Sequence, residues 1–149
     1  MLKPARILVP TDFSENSDRA LAQGLDIAGQ YKAKLFLLHV IHEDIYRTGL
    51  EFAFLEEAMR QQVRERATEW AEASLKEQLG NFPQAKEIEV TARVRWGIPY
   101  DEILKEGKEQ RIDLIVIASL GRSGIAKYFM GSVARNVLKG ARCPVLLTK

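Results

Sequence analysis

Apolar positions along the chain form five short runs, which longer amphipathic segments separate. The runs are rich in branched aliphatic residues, which is typical of strands, and they cover 6–10, 34–40, 87–94, 113–119 and 144–148. All but the third are nearly continuous in their hydrophobicity, as parallel strands covered by helices on both faces require. The third run alternates more, which predicts a strand at one edge of the sheet.

The segments between the runs carry apolar residues at intervals of three and four, which predicts helices. One helix is expected over roughly 15–30, where Ser14 or the adjacent acidic residues can cap the first turn. A long, continuous and highly charged helix is expected over about 50–79, another begins near Pro99, and the last begins at Gly131. Alternating strands and helices predict an α/β fold, an open and doubly wound parallel sheet with helices on both faces.

Composition and charge narrow the class of protein. The 149 residues, 46% hydrophobic and 28% charged, fit one globular domain over 1–149. A net charge of +2 falls far short of the basic stripe of nucleic-acid-binding proteins, so nucleic acid is not expected as a partner. The apolar runs are much shorter than the ~20 residues of a membrane span, and the N-terminus has no signal-peptide pattern. We therefore expect a cytoplasmic protein that does not associate with membranes.

Residues that follow the strands are the first candidates for a site, because ligands of open parallel sheets bind beyond the carboxyl ends of the strands. Pro10, Thr11 and Asp12 end or follow the first run, Val40 ends the second, and Gly97 follows the third. Asp12 has two compatible interpretations. In the first, its carboxylate binds a ribose hydroxyl or a cation. In the second, it is the N-cap of the next helix.

A glycine-rich stretch, "ASLGRSGIAKYFMGS", follows the fourth run and contains Gly121, Gly124 and Gly131. Gly131 and Ser132 immediately precede a helix, where free N–H groups and the helix dipole favour an anion such as phosphate. The spacing matches neither of the common phosphate-binding glycine motifs. In the alternative interpretation the glycines only form turns and cap the helix, and spacing alone leaves both interpretations open.

Other reactive side chains indicate no site of their own. Cys143 is the only cysteine and lies in an apolar run, which predicts a small buried side chain and no internal disulfide. His39 and His42 do not have the spacing of a metal motif. The chain also contains no GxSxG motif, so serine hydrolysis is not expected.

The chain resembles the universal stress protein family from end to end. The resemblance rests on "ILVPTDFSENSDRAL", "LLHV", "WGIPYDEIL" and "ASLGRSGIAKYFMGSVARNVLKGARCPVLLTK". It implies a Rossmann-like five-stranded sheet of order 3-2-1-4-5 and a homodimer that forms through the C-terminal strand. One branch of the family binds ATP through a glycine, two residues, a second glycine, nine residues, and a third glycine followed by serine or threonine.

In this chain Gly121 is the second glycine of that pattern and Gly131 the third, whereas Ala118 stands in place of the first. The resemblance implies that Val40 contacts the adenine, that Asp12 binds the ribose or Mg²⁺, and that the start of the last helix binds the phosphates. The complete set of expected nucleotide-binding residues is Pro10, Thr11, Asp12, Val40, Gly97, Ala118, Gly121, Arg122, Gly124, Gly131, Ser132 and Val133.

Our leading hypothesis is a homodimeric regulatory protein of the stress response that binds ATP with Mg²⁺. Asp12 is the only carboxylate predicted at the site, so we expect hydrolysis to be slow at best. The alternative is a dimeric protein-interaction module of the same fold that binds no nucleotide. AMP or a cyclic nucleotide would use the same site as ATP. The predicted long helix at about 50–79 is the surface where we expect an unidentified protein partner, because its outer face is charged.

Overall fold

The computed structural model describes residues 2–44, 50–121 and 130–149. In these ranges the strands are β1 Arg6–Pro10, β2 Lys34–His42, β3 Val90–Gly97, β4 Leu114–Ala118 and β5 Val145–Thr148. All pair in parallel, in the order β3-β2-β1-β4-β5. The expected fold class and strand order are confirmed, and so is the edge position of the third strand.

Helices cover both faces of this sheet. They are α1 Glu15–Tyr31, α2 Leu50–Ala53, α3 Glu57–Gly80, α4 Pro99–Glu109 and α5 Ser132–Gly140, and Pro83–Glu87 form a 3₁₀ helix. α1 and α3 pack on one face, and α4 and α5 pack on the other. In the part of the chain that the structure describes, no helix is both long and apolar enough to cross a membrane.

The central strand β1 is buried on both sides. Ile7 and Val9 belong to the core under α1 and α3, whereas Leu8 belongs to the core under α4 and α5. All three side chains are 0% exposed. Burial of an aliphatic side chain of this size stabilises the fold by about 1.5–3 kcal/mol, which explains why residues 7–9 are all aliphatic.

α1 begins as the sequence predicts. The Ser14 hydroxyl accepts a hydrogen bond from the Ser17 amide at 3.2 Å, so Ser14 is the N-cap. Further along, α1 passes so close to β1 that an added Cβ at Gly24 would lie 2.6 Å from Val9 Cγ2. The absence of a side chain at Gly24 is therefore what brings α1 onto the sheet.

The prediction of one continuous helix over about 50–79 is wrong, because α2 ends at Ala53 and α3 begins only at Glu57. Glu56 has an extended backbone, with φ −62° and ψ 153°. The Arg60 guanidinium donates to the carbonyls of Leu55 at 3.0 Å and of Ala53 at 3.3 Å. This side chain supplies the hydrogen bonds that the carbonyls lose at the break, and apolar periodicity carries no sign of it.

The third strand also differs from its prediction at 87–94, since β3 spans residues 90–97. Its predicted start lies partly in the 3₁₀ helix, which ends at Glu87. The strand extends beyond the apolar run because residues 95–97 continue the pairing with β2, and the arginines of β3 find partners on α4. Arg93 Nε lies 3.0 Å from Oε1 of Glu106, a side chain that is 0% exposed.

Arg95 is the centre of the ion cluster that joins β3 to α4. Its guanidinium lies 2.8, 2.6 and 2.9 Å from carboxylate oxygens of Glu102, Glu106 and Glu109. The hydrogen bond with Glu109 raises the pKa of Arg95 and lowers the pKa of Glu109. Burial alone would raise the pKa of Glu102, but hydrogen bonds from Lys105 and Arg95 outweigh it and lower that pKa.

We expect Gly24→Ala to lower the free energy of unfolding by about 1–2 kcal/mol, because overpacking against Val9 outweighs the gain in helix propensity. The control is Gly29→Ala in the same helix, where an added Cβ meets no atom within 4 Å. That variant should gain up to about 1 kcal/mol. Urea unfolding followed by circular dichroism measures both, and an equal gain in the two variants would contradict the close contact at Gly24.

The ion cluster predicts a loss of stability in acid. Because the pKa values of Glu102 and Glu109 are lowered on folding, their contribution is complete above their ordinary value of 4.5 and is lost as the pH falls through the lower values of the folded state. Glu109→Gln should therefore lower the urea midpoint at pH 7 and converge on wild type below pH 4.5. Glu72→Gln, which removes an exposed carboxylate of α3, is the control; a gap between Glu109→Gln and wild type that does not narrow as the pH falls below 4.5 would count against the cluster.

Candidate functional site

A cavity of about 220 Å³ lies beyond the carboxyl ends of β1, β2 and β4. It sits where the chain leaves β1 for the α1 face and leaves β4 for the α5 face, which is the switch point at which open α/β sheets bind ligands. The residues that line it are Pro10, Thr11, Asp12, Ser17, Leu38, His39, Val40, Pro99, Ile103, Ile117, Ala118, Ser119, Leu120, Gly121, Gly131, Ser132, Val133 and Ala134.

The floor of the cavity is apolar and its rim is polar. Leu38, Ile103, Ile117 and Ala134 line the cavity and are at most 5% exposed, because they also belong to the core under α4 and α5. The rim carries one carboxylate, Asp12, together with serine hydroxyls and backbone amides. Such an arrangement, with an apolar wall and a few convergent polar groups, is typical of small-molecule sites.

The start of α5 opens onto this cavity. Gly131 is its N-cap residue and no side chain of the described chain caps the helix. The hydrogen bond from the Arg135 amide to the Gly131 carbonyl, at 3.0 Å, is the first of the helix, so the three amides before it have no helical acceptor. These amides belong to lining residues and form the positive end of the helix dipole. The cavity therefore contains donors suited to an anion.

Close backbone contacts explain the two described glycines of the loop. The Gly131 amide donates to the Ser119 carbonyl at 2.7 Å, and an added Cβ at Gly131 would lie 3.3 Å from that same oxygen. An added Cβ at Gly121 would lie 3.0 Å from Asp12 Oδ2. Both glycines thus allow the ends of the loop to approach each other and Asp12, a packing role that exists with or without a ligand.

Asp12 is not the N-cap of α1, so that interpretation is wrong. Its Oδ1 accepts hydrogen bonds from the amide and the hydroxyl of Ser14, and Ser14 caps the helix in its place. Asp12 instead holds the capping residue while its carboxylate lines the cavity. The residue between them, Phe13, has a left-handed backbone with φ 63°, which turns the chain from β1 into α1.

The hydroxyl, the amide and the carbonyl of Thr11 all form hydrogen bonds. Its hydroxyl, in a residue only 6% exposed, donates to Gln78 Oε1 at 2.9 Å, and its amide donates to the Leu38 carbonyl at 2.8 Å. Its carbonyl lies 2.8 Å from His39 Nδ1, and this nitrogen must carry the proton because a carbonyl only accepts. Gln78 also donates to Asp18 at 2.7 Å. Thr11 therefore positions the cavity wall.

Gln78, which was not among the expected site residues, ties α3 to the cavity wall. A signal was present, because Gln78 continues the buried stripe that Ala71 and Leu75 begin on α3. A polar residue in such a stripe indicates a buried hydrogen-bond partner.

Three aromatic rings pack against one another behind the cavity wall. The ring of His39, which lines the cavity, lies 4.4 Å from the ring of Phe13, and the Phe13 ring lies 5.5 Å from that of Trp70 in an edge-to-face arrangement. Trp70 on α3 is 55% exposed despite these contacts. The cavity wall is thus continuous with the outer surface of α3.

Most expected site residues line the cavity, but Gly97 is not among its described lining residues. Gly97 has φ 150°, and an added Cβ there would lie 2.8 Å from Glu102 Cγ, so the packing of α4 against β3 explains this glycine. Arg122 and Gly124 lie outside the described residues.

The histidine and cysteine side chains away from the cavity do not form a second reactive site among the described residues. Among the described residues, no three His, Cys, Asp or Glu side chains converge to hold a metal ion. His42 Nδ1 accepts from the Asp44 amide at 3.3 Å. Cys143, which was predicted to be a buried side chain, is only partly buried, and it lies beside a surface groove. Burial still raises the pKa of its thiol, which keeps the thiol protonated.

Known proteins of the same sequence pattern and fold were identified by comparison. The family model described as "Universal stress protein family" matches residues 4–149. The universal stress protein MJ0577 of Methanocaldococcus jannaschii is 31% identical, over 97% of this chain and 94% of its own length. The universal stress protein YxiE of Bacillus subtilis is 30% identical, over 97% of this chain and 98% of its own length.

Solved structures agree with the sequence matches. The structure of MJ0577 superposes with a TM-score of 0.83 at 28% identity, covering 99% of this chain and 97% of that one. A universal stress protein solved in complex with cAMP superposes with a TM-score of 0.67 at 25% identity, covering 99% and 98% of the two chains. With a fold of the same strand order and a family match over nearly its whole length, this chain belongs to the universal stress protein family.

Proposed function

We propose that this protein is a regulatory protein that binds ATP at the cavity beyond β1, β2 and β4. The observation that carries the proposal is the start of α5, where the amides of Ser132, Val133 and Ala134 lack helical acceptors and open onto an apolar cavity. Phosphate oxygens satisfy such donors, and the helix dipole adds to their attraction.

The apolar wall suits the other end of the nucleotide. Val40 and the buried side chains of the floor provide a surface for the adenine ring, as the resemblance implies for Val40. Ala118 takes the place of a glycine of the family pattern, and its methyl packs against the core under α1 and α3. That contact favours tolerance of the substitution. The cAMP complex of a relative supports an adenine nucleotide as the ligand class.

Mg²⁺ is the proposed companion of ATP, with Asp12 as its protein ligand. The donor set fits, because Mg²⁺ is commonly bound by one or two carboxylates together with substrate phosphates and water. Asp12 is the one carboxylate among the described residues that line the cavity, and Gly121 lets its Oδ2 approach the loop. When bound, Mg²⁺ would neutralise charge on the phosphates.

Binding without rapid hydrolysis is the proposed mode of action. A hydrolase would need a group that orients or deprotonates water near the terminal phosphate. Of the side chains that line the cavity, Asp12 is assigned to Mg²⁺ or the ribose, and His39 donates Nδ1–H to the Thr11 carbonyl. We therefore propose that the bound nucleotide acts through a difference in affinity between two states of the protein.

A homodimer through β5 is proposed together with this function. β5 pairs with β4 along one edge. The Pro144 carbonyl accepts a hydrogen bond from an amide of β4, and the Thr148 carbonyl accepts one from the amide of the residue that follows β4. Alternation then directs the N–H groups of Val145 and Leu147 to the opposite edge. An open edge at the end of a sheet is protected by pairing with a second copy.

Ser132→Pro tests the phosphate placement. Gly131, with φ −60° and ψ 153°, already has the backbone that precedes proline, and proline is favoured at a first helical position. The variant removes an amide and a hydroxyl donor, so we expect ATP to bind at least about tenfold more weakly, whereas Ser132→Ala loses the hydroxyl alone and should weaken binding about threefold to tenfold. Gly131→Val is a poorer test because it crowds the Ser119 carbonyl.

Calorimetric titration of nucleotide-stripped protein with Mg-ATP measures these affinities, with Mg-GTP and AMP for comparison and circular dichroism to check folding. Saturation near one ATP per chain is expected. Wild-type affinity in a folded Ser132→Pro variant would overturn the placement of the phosphates. Absence of binding by every nucleotide would favour the interaction module that binds none.

Val145→Pro tests the dimer. It removes an outward N–H at the first residue of β5, where proline is tolerated, and leaves the pairing with β4 intact. Two symmetric hydrogen bonds would be lost per dimer, so we expect the dissociation constant of the dimer to rise at least about tenfold. Light scattering at micromolar concentration measures the mass, and a monomeric wild-type protein would contradict the proposed dimer.

A further inference from the structure

A second cavity, a groove of about 400 Å³, lies between the C-terminal ends of α4 and α5. It borders the start of β4 and the residues before β5, whereas the proposed nucleotide site lies beyond the other end of β4. Leu104, Ile112, Ile115 and Cys143 provide its apolar lining. The charged residues that line it are Asp101, Lys105, Lys108, Arg111 and Arg142.

The charge of this groove is strongly positive. Four of its lining side chains are basic and one is acidic, a balance of +3 from 4 − 1, whereas the whole chain carries only +2. Lys105 is paired with Asp101 at 2.8 Å and with Glu102 at 2.9 Å. Lys108, Arg111 and Arg142 have no ion pair with any residue of the described ranges.

Most acidic side chains of α4 lie on a different side of the helix from its basic side chains. Its glutamates at positions 102, 106 and 109 turn towards the arginines of β3, whereas Lys105 and Lys108 line the groove. Asp113, two residues after Arg111, accepts hydrogen bonds from the amides of Ala5 and Arg6 and is not a lining residue. Of the four basic residues of the groove, only Lys105 is therefore paired with a carboxylate of the described residues.

Helix dipoles do not account for the arginines. A basic residue in the last turn of a helix interacts favourably with the dipole, and Lys108 and Lys139 occupy such positions. Arg111 and Arg142 lie two residues beyond the ends of α4 and α5, outside the last turn in which the effect is felt.

Arg111 also has a backbone that favours glycine. Its φ is 51°, and the Ile112 amide donates to the Gly107 carbonyl at 2.8 Å, a pattern in which the left-handed position is usually glycine. A non-glycine residue is strained in this conformation. The chain thus places an arginine at the groove where its own backbone would be more stable with glycine.

We propose that this groove binds a small amphipathic anion, whose carboxylate or phosphate group contacts Lys108, Arg111 and Arg142 and whose apolar body lies on the aliphatic lining. The volume is that of a small-molecule site. Arginine forks pair with carboxylates and phosphates through two parallel hydrogen bonds. The apolar lining distinguishes the expected ligand from a simple inorganic anion.

The test is a titration of the full chain with octyl phosphate and with octanoate, followed by amide chemical shifts in ¹H–¹⁵N spectra. Octanol lacks the charge and inorganic phosphate lacks the apolar body, so both are expected to bind at least about fivefold more weakly. Saturable shifts should concentrate at Gly107, Ile112, Gly140 and Cys143. The stronger of the two octyl probes identifies the headgroup.

Arg111→Gly and Lys32→Gly form a matched pair of variants. Lys32, beyond the end of α1, also has a left-handed backbone, with φ 55°, and lies away from the groove. Each variant removes one positive charge and relieves the same kind of backbone strain, so both should fold and melt at or above the wild-type temperature. Arg111→Gly should weaken binding of the octyl probes at least about fivefold, and Lys32→Gly less than about twofold.

Several results would overturn the proposal. Equal weakening by the two variants would mean that the net charge of the protein attracts the probes. Inorganic phosphate binding as tightly as octyl phosphate would exclude a role for the apolar lining. Shifts concentrated at Gly121 and Ala134 would place the probes in the other cavity, and no saturation at up to about 10 mM would mean that the groove is not a site for such anions.

Discussion

Burial of β1 on both of its faces is the constraint on which the rest of the structure depends. Ile7, Leu8 and Val9 have no exposed surface, so helices must cover both sides of the sheet. The chain therefore leaves β1 towards one face and β4 towards the other, and the two departures separate at the carboxyl ends of the strands. The proposed nucleotide cavity is the space between them, and it follows from how the core is covered.

Features that depend on periodicity or local caps could be predicted from the sequence, whereas features that depend on side-chain hydrogen bonds could not. The strands, the Ser14 cap and the start of α5 follow from local patterns, and the strand order from the family resemblance. The break before Glu57 depends on hydrogen bonds from Arg60, and the rigid position of Thr11 depends on Gln78, 67 residues away. Neither contact alters the apolar period of α3, so the period predicted a continuous helix.

The glycines of the loop reconcile two interpretations that spacing alone left open. Gly121 and Gly131 have a packing reason, because each lies against a neighbour that leaves little or no room for a side chain. The same contacts hold the first turn of α5 against the end of β4, where its residues line the cavity. A site that is held in place before its ligand arrives loses less freedom on binding. Packing and binding are thus served by the same residues.

The contact of Phe13 with His39 and Trp70 has a consequence for how the molecule can be observed. Tryptophan emission responds to the polarity and motion of its surroundings, and Trp70 touches a ring that itself touches the cavity wall. Trp96, the other tryptophan, is held separately by its hydrogen bond to Thr68 and the guanidinium of Arg64. Trp70 is thus a native fluorophore on the outer surface of α3 whose ring contacts lead to the cavity wall.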